Sequence, residues 1–235
     1  MKTIRTPLLT ITAICAALLI AFAQQKASNA ESSAQAAKAD LPPDINPVTR
    51  NRVAPVKPEE LDDYGKKVTG VVAGEGRAIT NAGGPSSIRA HSPHVLEYMD
   101  MGNEYLRYKA GIEPRLVELT ILVAARAMDN QYEWTAHEKS GLKAGLTQDV
   151  IDIVKYRKPV TGLPEKEASI IQIGREAYGD HKVSSATYAR GLKAFGETGL
   201  VNVVSLMAHY SATAVLLTVF DQHLAANDKS TLPVP

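Results

Sequence analysis

The chain has 235 residues, with 26 Lys and Arg against 25 Asp and Glu, 45% hydrophobic residues and one cysteine. Charge this close to balance, without a basic cluster, excludes a nucleic-acid surface built on phosphate neutralisation. A lone cysteine excludes an internal disulfide framework or a thiolate metal cage, and the length suits one domain with a sizeable core.

Residues 1–23 read MKTIRTPLLTITAICAALLIAFA. Lys2 and Arg5 precede an apolar run, and Ala21-Phe22-Ala23 has the small-x-small form of a signal-peptidase site. The pattern predicts a signal peptide and an exported protein, periplasmic or secreted, cut after Ala23; a second candidate cut follows Ser28-Asn29-Ala30. The competing reading is a retained anchor, but the run is short beside the ~20 residues of a spanning helix. Cys15 follows Ile14, where a lipoprotein signal has a small residue. Cleavage removes Cys15, so the mature protein is expected to have no thiol and no membrane contact. Residues 24–56, rich in Ala, Ser, Gln, Lys and Pro, bury too little to offset ordering and predict a flexible tether. Residues 57–235 form the expected domain.

Within it, 57–70 predicts a short helix with Pro58 near its start and Gly70 past its end. The Gly, Ser and Pro content of 73–93 predicts an irregular loop. A helix is expected over 93–111, stopped by Gly111. EPRLVELTILVAARAM (113–128) leaves almost no polar face and predicts a helix buried nearly all round. DNQYEWTAHEKSGLKAG (129–145) is the next helix, closed by Gly145, followed by 146–156 with Thr147 as N-cap. Further helices are expected over 163–180, 184–199 and 199–224. No segment sustains period-two alternation, so the fold is expected to be all-α.

Glu133 and His137 stand four apart on a helix and face the same way. A carboxylate there fixes the imidazole's tautomer and raises its basicity, and imidazole exchanges protons near neutral pH. The bland reading is a capping box, with Asn130 as N-cap and Glu133 as third helical residue. Glu118 on the apolar helix needs a partner if buried; Arg126 and Arg115 are the candidates on its own helix. Arg126 is alternatively a carboxylate holder, since guanidinium makes two parallel hydrogen bonds to that group. Tyr132 and Trp134 are either core residues or substrate walls. His209 is either a core histidine or part of the same pocket. His91 and His94 form H-x-x-H, by themselves too few ligands for a closed zinc site; Glu133 and His137 could supply two more, but no metal is expected, and no cofactor.

The blocks HSPHVLEYMDMGNEYLRYKAGIEPRLVELTILVAAR, YEWTAHEKSGLKAGLTQDVIDIV and VNVVSLMAHYSATAVLLTVFDQH, in that order, resemble the carboxymuconolactone decarboxylase and alkylhydroperoxidase D superfamily over about residues 85–225. The resemblance implies an alkylhydroperoxidase D-like helical domain with a helical-hairpin core, assembled as a trimer or a multiple of it. The peroxidase branch uses C-x-x-C-x-x-x-H with an upstream glutamate. Those positions fall on Asn130, Glu133, His137 and Glu118, so both thiols are missing, and thiolate chemistry with them. The decarboxylase branch needs no cysteine. It implies a lyase or isomerase acting on a small carboxylate, carbonyl or lactone substrate. His137, Glu133 and Glu118 would be catalytic, and Arg126, Tyr132, Trp134 and His209 would bind substrate. The alternative is an exported binding or structural protein that keeps the fold without the chemistry.

Overall fold

Helix starts fall where proline or a side-chain oxygen relieves the unpaired N–H groups of a first turn. The structure, a computed structural model, describes residues 41–74 and 83–234. The leader over 1–23 and both candidate cleavage sites lie outside the described residues. The chain divides between Pro43 and Asp44, and everything below concerns the second unit, Asp44–Pro235.

Eight α-helices occur among the described residues, with no strand: α1 (Asp63–Gly74), α2 (Pro85–Arg89), α3 (Pro93–Glu104), α4 (Pro114–Ala127), α5 (Gln131–Lys143), α6 (Gln148–Lys155), α7 (Glu165–Arg175) and α8 (Ser185–Val219). Proline opens α2, α3 and α4. Asn130, Thr147 and Ser184 cap α5, α6 and α8, each side-chain oxygen accepting a backbone N–H three residues on. Gly111 and Gly145 end their segments at φ 74° and 96°, the left-handed conformation that favours glycine.

Helix α4 is the centre of the domain. Every residue from Leu116 to Ala125 is buried, as its unbroken apolar sequence predicts. It packs against α5, α7 and α8, and more lightly on α6. A tight turn with Asp129 at φ 47° joins it to α5 and makes the helical hairpin. On one side of α4, Leu119, Leu122 and Val123 meet Trp134, Ile170 and Val203; on another, Val117, Ile121 and Ala124 meet Leu106, Leu206 and Tyr210.

Several boundaries differ from expectation. The helix expected over 57–70 starts later and runs past Gly70 to Gly74, after a separate 3-10 turn at Pro58–Glu60. The predicted loop over 73–93 contains α2. The helix expected over 93–111 changes to a π turn at Tyr105–Lys109, and α7 likewise ends in a π turn at Glu176–Asp180. The expected break between segments 184–199 and 199–224 is present but falls at Gly196, which leaves helical geometry at φ 68° and ψ 175°; α8 denotes the two helices together. Helix α8 is long and apolar enough to cross a membrane by composition, but half of its most apolar window is buried against the domain.

The tether expected over 24–56 ends earlier than its composition suggests. Thr49 and Asn51 are wholly buried and Ile45 nearly so. Asn51 Nδ2 donates to Gln222 Oε1 at 2.9 Å, and Arg52 donates to the carbonyl of Val219 at 2.7 Å. Residues 44–56 thus pack around the end of α8 through polar contacts, which an apolar count misses.

Candidate active site

Glu133 and His137 sit one turn apart on α5, both buried. The backbone N–H of Glu133 donates to Asn130 Oδ1 at 3.0 Å, so the cap is real. The reciprocal half of a capping box is not made: the N–H of Asn130 goes to the carbonyl of Ala125. The Glu133 carboxylate instead stands 3.3 Å from His137 Nε2. Backbone and side chain of one residue therefore serve both roles that the sequence left in competition.

The other imidazole nitrogen, Nδ1, is 2.6 Å from Glu118 Oε2. Glu118 comes from α4, one layer below. Its second oxygen accepts from Arg107 Nη2 at 2.8 Å. The expected helix-mates do not serve Glu118: Arg115 is paired with Glu167 and Glu113, and Arg126 with Asp129 and the carbonyl of Lys155. A cation from the π turn after α3 replaces them. The order Arg107, Glu118, His137, Glu133 is a continuous line of charge-assisted contacts through the core.

Tyr210 of α8 closes the line, its ring edge-on to His137 with centroids 5.1 Å apart. His209 lies edge-on to Tyr210. Arg89 of α2 is buried, donates to Thr213 Oγ1 at 2.6 Å, and lies 3.7 Å from Asp100. It also feels the charge of Glu133.

These neighbours set the protonation of the site. Burial is the largest influence on His137 and disfavours its cation, but Glu118 and then Glu133 outweigh it and hold the pKa above the ordinary imidazole value. Burial likewise pushes Glu118 up, and His137 and Arg107 outweigh it, so its carboxyl lies below the usual range. His209 goes the other way: burial and then Arg89 depress it to about 4. Two histidines of the same region thus shift in opposite directions, His137 toward its cation and His209 toward the neutral ring. Burial raises the Tyr210 phenol, which stays neutral.

The other expected site residues are placed apart. Trp134 is fully buried in the core, its Nε1 donating to Thr231 Oγ1 at 3.2 Å, so it is a packing residue and no substrate wall. Tyr132 is half-buried, its hydroxyl against Gly84, and faces a polar surface pocket with Arg50, Gln222 and His223. Arg126 lines a different cavity beside Tyr178. His91 bonds the carbonyl of Ala54 through Nε2, and His94 stacks on Tyr64. No group of three or more metal-ligating side chains occurs among the described residues. Arg107, Arg89 and Tyr210 are the members that sequence reasoning missed. Tyr210 carried a signal, its place beside His209 on an apolar helix; the arginines carried none.

Residues 93–171 match the model of the carboxymuconolactone decarboxylase family. The matched segment includes Arg107, Glu118, Glu133 and His137, the whole charged line, and stops short of α8. No curated protein matches the chain. The family includes decarboxylases and peroxidase-like members. Where the resemblance would place the peroxidase cysteines, the matched segment holds Asn130 and Glu133.

Proposed function

We propose that the domain is a cofactor-free lyase or isomerase that moves a proton on a small carboxylate, carbonyl or lactone compound. The observation that carries this reading is a buried imidazole gripped on both nitrogens by carboxylates from two helices. Glu118 fixes the ring through Nδ1, and Arg107 keeps Glu118 ionised. The proton on Nε2 is then the mobile one, and Glu133 is the carboxylate that receives or returns it. In a decarboxylation the bond to the substrate carboxylate breaks, its electron pair moves into a conjugated carbonyl, and carbon takes the Nε2 proton. In an isomerisation the same pair removes a proton at one carbon and returns it at another.

The second reading, a binding protein without turnover, draws support from enclosure: His137, Glu133 and Glu118 are only 8%, 3% and 6% exposed. A metabolite screen followed by mass spectrometry separates the two. Substrate loss that disappears in Glu133→Gln supports the enzyme; saturable binding without conversion of any compound supports the alternative. Peroxide reduction with a dithiol donor is expected to be absent, because sulfur occupies neither motif position.

Export and assembly complete the proposal. The leader pattern supports cleavage after Ala23, which the intact mass of the secreted protein tests. The exposed Val201, Val204, Val215 and Val219 of α8 and Tyr98 and Met101 of α3 support a homo-oligomer, a trimer or a multiple of one. Light scattering that gives a monomer at micromolar concentration would count against it.

A further inference from the structure

A cavity of about 220 Å³ opens between the C-terminal half of α4, the end of α6 and the end of α7. Three of its lining side chains are arginines, Arg126, Arg157 and Arg175. Its floor is apolar, made by Val123, Val154 and Ile171, and Tyr178 forms one wall. Gly174 lets α7 approach: a Cβ there would clash with Val123 Cγ1.

Helix ends explain two of the arginines. Arg126 Nε donates to the carbonyl of Lys155 at 2.9 Å, and Arg175 Nη2 donates to the carbonyls of Ile153 and Lys158 at 2.9 and 2.7 Å. Those carbonyls belong to the last turn of α6 and the residues just after it, where cations are favoured. The same bonds fix both guanidiniums in place and leave other N–H groups of each side chain beyond them. Asp129 pairs with Arg126, and nearby Lys158 is 3.7 Å from Asp152, so the arginines are only partly balanced.

Arg157 is not explained that way. Its side chain is exposed and makes no hydrogen bond or ion pair among the described residues. It also stands in the left-handed conformation, φ 53°, at the position after α6 where glycine is the favoured residue. The backbone bonds from Lys158 N–H to the carbonyl of Ile153 and from Arg157 N–H to that of Val154 complete the left-handed helix stop. An arginine here carries a conformational cost that glycine avoids, and it brings a third cation beside Arg175, whose pKa is lowered by burial and then by Arg157.

We infer that this cavity is a second ligand site, for a small amphipathic carboxylate: the arginines take the carboxylate, and the apolar floor and Tyr178 take its body. Guanidinium recognises carboxylate by paired hydrogen bonds, and small-ligand pockets combine an apolar lining with a few convergent polar groups. The site is distinct from the His137 line. Glu118 and Arg126 are eight residues apart on α4, about 12 Å along the helix axis, and Arg126 makes its bonds to α6 and Asp129. The inference therefore stands whether or not His137 is catalytic.

Calorimetric titration of the full chain with benzoate, benzyl alcohol and inorganic phosphate tests it. Benzoate is expected to bind saturably at one site. Benzyl alcohol lacks the charge and phosphate lacks the apolar body, so each should bind at least about tenfold more weakly. Arg157→Glu, at an exposed position without partners, should weaken benzoate by about tenfold or more at an unchanged thermal midpoint. His137→Gln should bind benzoate as the wild type does. The inference is overturned by absent benzoate binding, by phosphate binding equally well, by full binding in Arg157→Glu, or by its loss in His137→Gln.

Discussion

His137 and Glu138 are neighbours on α5, about 100° apart around the helix, and each carries charge into the protein interior. Glu138 meets Lys155 Nζ at 2.6 Å, and Thr231 from the C-terminal segment bonds both partners. Lys155 also lies 5.5 Å over the Trp134 ring. That cluster is one acid and one base, mutually satisfied. His137 instead meets two carboxylates, with Arg107 behind one of them and Arg89 near the other. A matched pair has one low-energy protonation state and fixes a geometry. A histidine between two acids has a proton that can move. The same helix thus offers a structural ion pair and a chemical site, distinguished by stoichiometry of charge and not by burial.

The sharpest way to break this comparison is a pair of conservative variants at the chemical site. Glu133→Gln keeps the backbone cap to Asn130 and the side-chain shape. His137→Gln keeps polarity but cannot exchange protons near neutral pH. Once the metabolite screen supplies a substrate, each is expected to lower turnover by about 100- to 10,000-fold. Glu133→Gln should leave the thermal midpoint nearly unchanged. Wild-type turnover in both would make the line structural, like its neighbour.

Lys155→Met should do the opposite. Removing one partner of a buried ion pair costs about 3–5 kcal/mol, read as a lowered denaturation midpoint, while turnover per folded molecule stays near wild type. A rate loss without a stability loss would merge the two regions.

Titration sharpens the contrast further. The folded pKa of His137 is raised, so its stabilising contribution is full below the unfolded imidazole value of ~6.5 and is lost as pH rises through the folded value. Glu118 is lowered, so its contribution is present above the unfolded carboxyl value of ~4.3 and is lost as pH falls through the folded one. Thermal midpoints across this range should show an alkaline decline that shrinks in His137→Gln. A proton-donating His137 also predicts kcat/KM falling on the same alkaline limb; a flat profile would remove it from the chemistry.

The smallest effect is expected at the cap the two readings share. Asn130→Ala removes the acceptor for the Glu133 N–H and should cost about 1 kcal/mol, measured by denaturant midpoint, with turnover changed far less than in Glu133→Gln.

Local features were legible before any fold. The buried character of α4, the caps at Asn130 and Thr147, the Gly111 and Gly145 stops and the shared face of Glu133 and His137 depend on residues within one or two turns of each other, where helical geometry alone sets the neighbours. The same locality misdirected the search for a Glu118 partner. Arg115 and Arg126 are near it in sequence, but Glu167 and Asp129 take them. Arg107 wins because the π turn after α3 lies against α4, a relation that no spacing encodes.

What the sequence determined by itself is therefore the all-α class, the caps at Asn130 and Thr147, the Gly111 and Gly145 stops and the Glu133–His137 pair, since each follows from period, capping and i,i+4 proximity. Only the tertiary structure decided that Glu118 grips the other side of His137, that Trp134 is core, that Arg126 belongs to another cavity, and that residues 44–56 are part of the domain. The physical reason is that a buried polar group is satisfied by whichever partner packing brings within hydrogen-bond reach, and packing is settled by contacts between elements far apart in the chain.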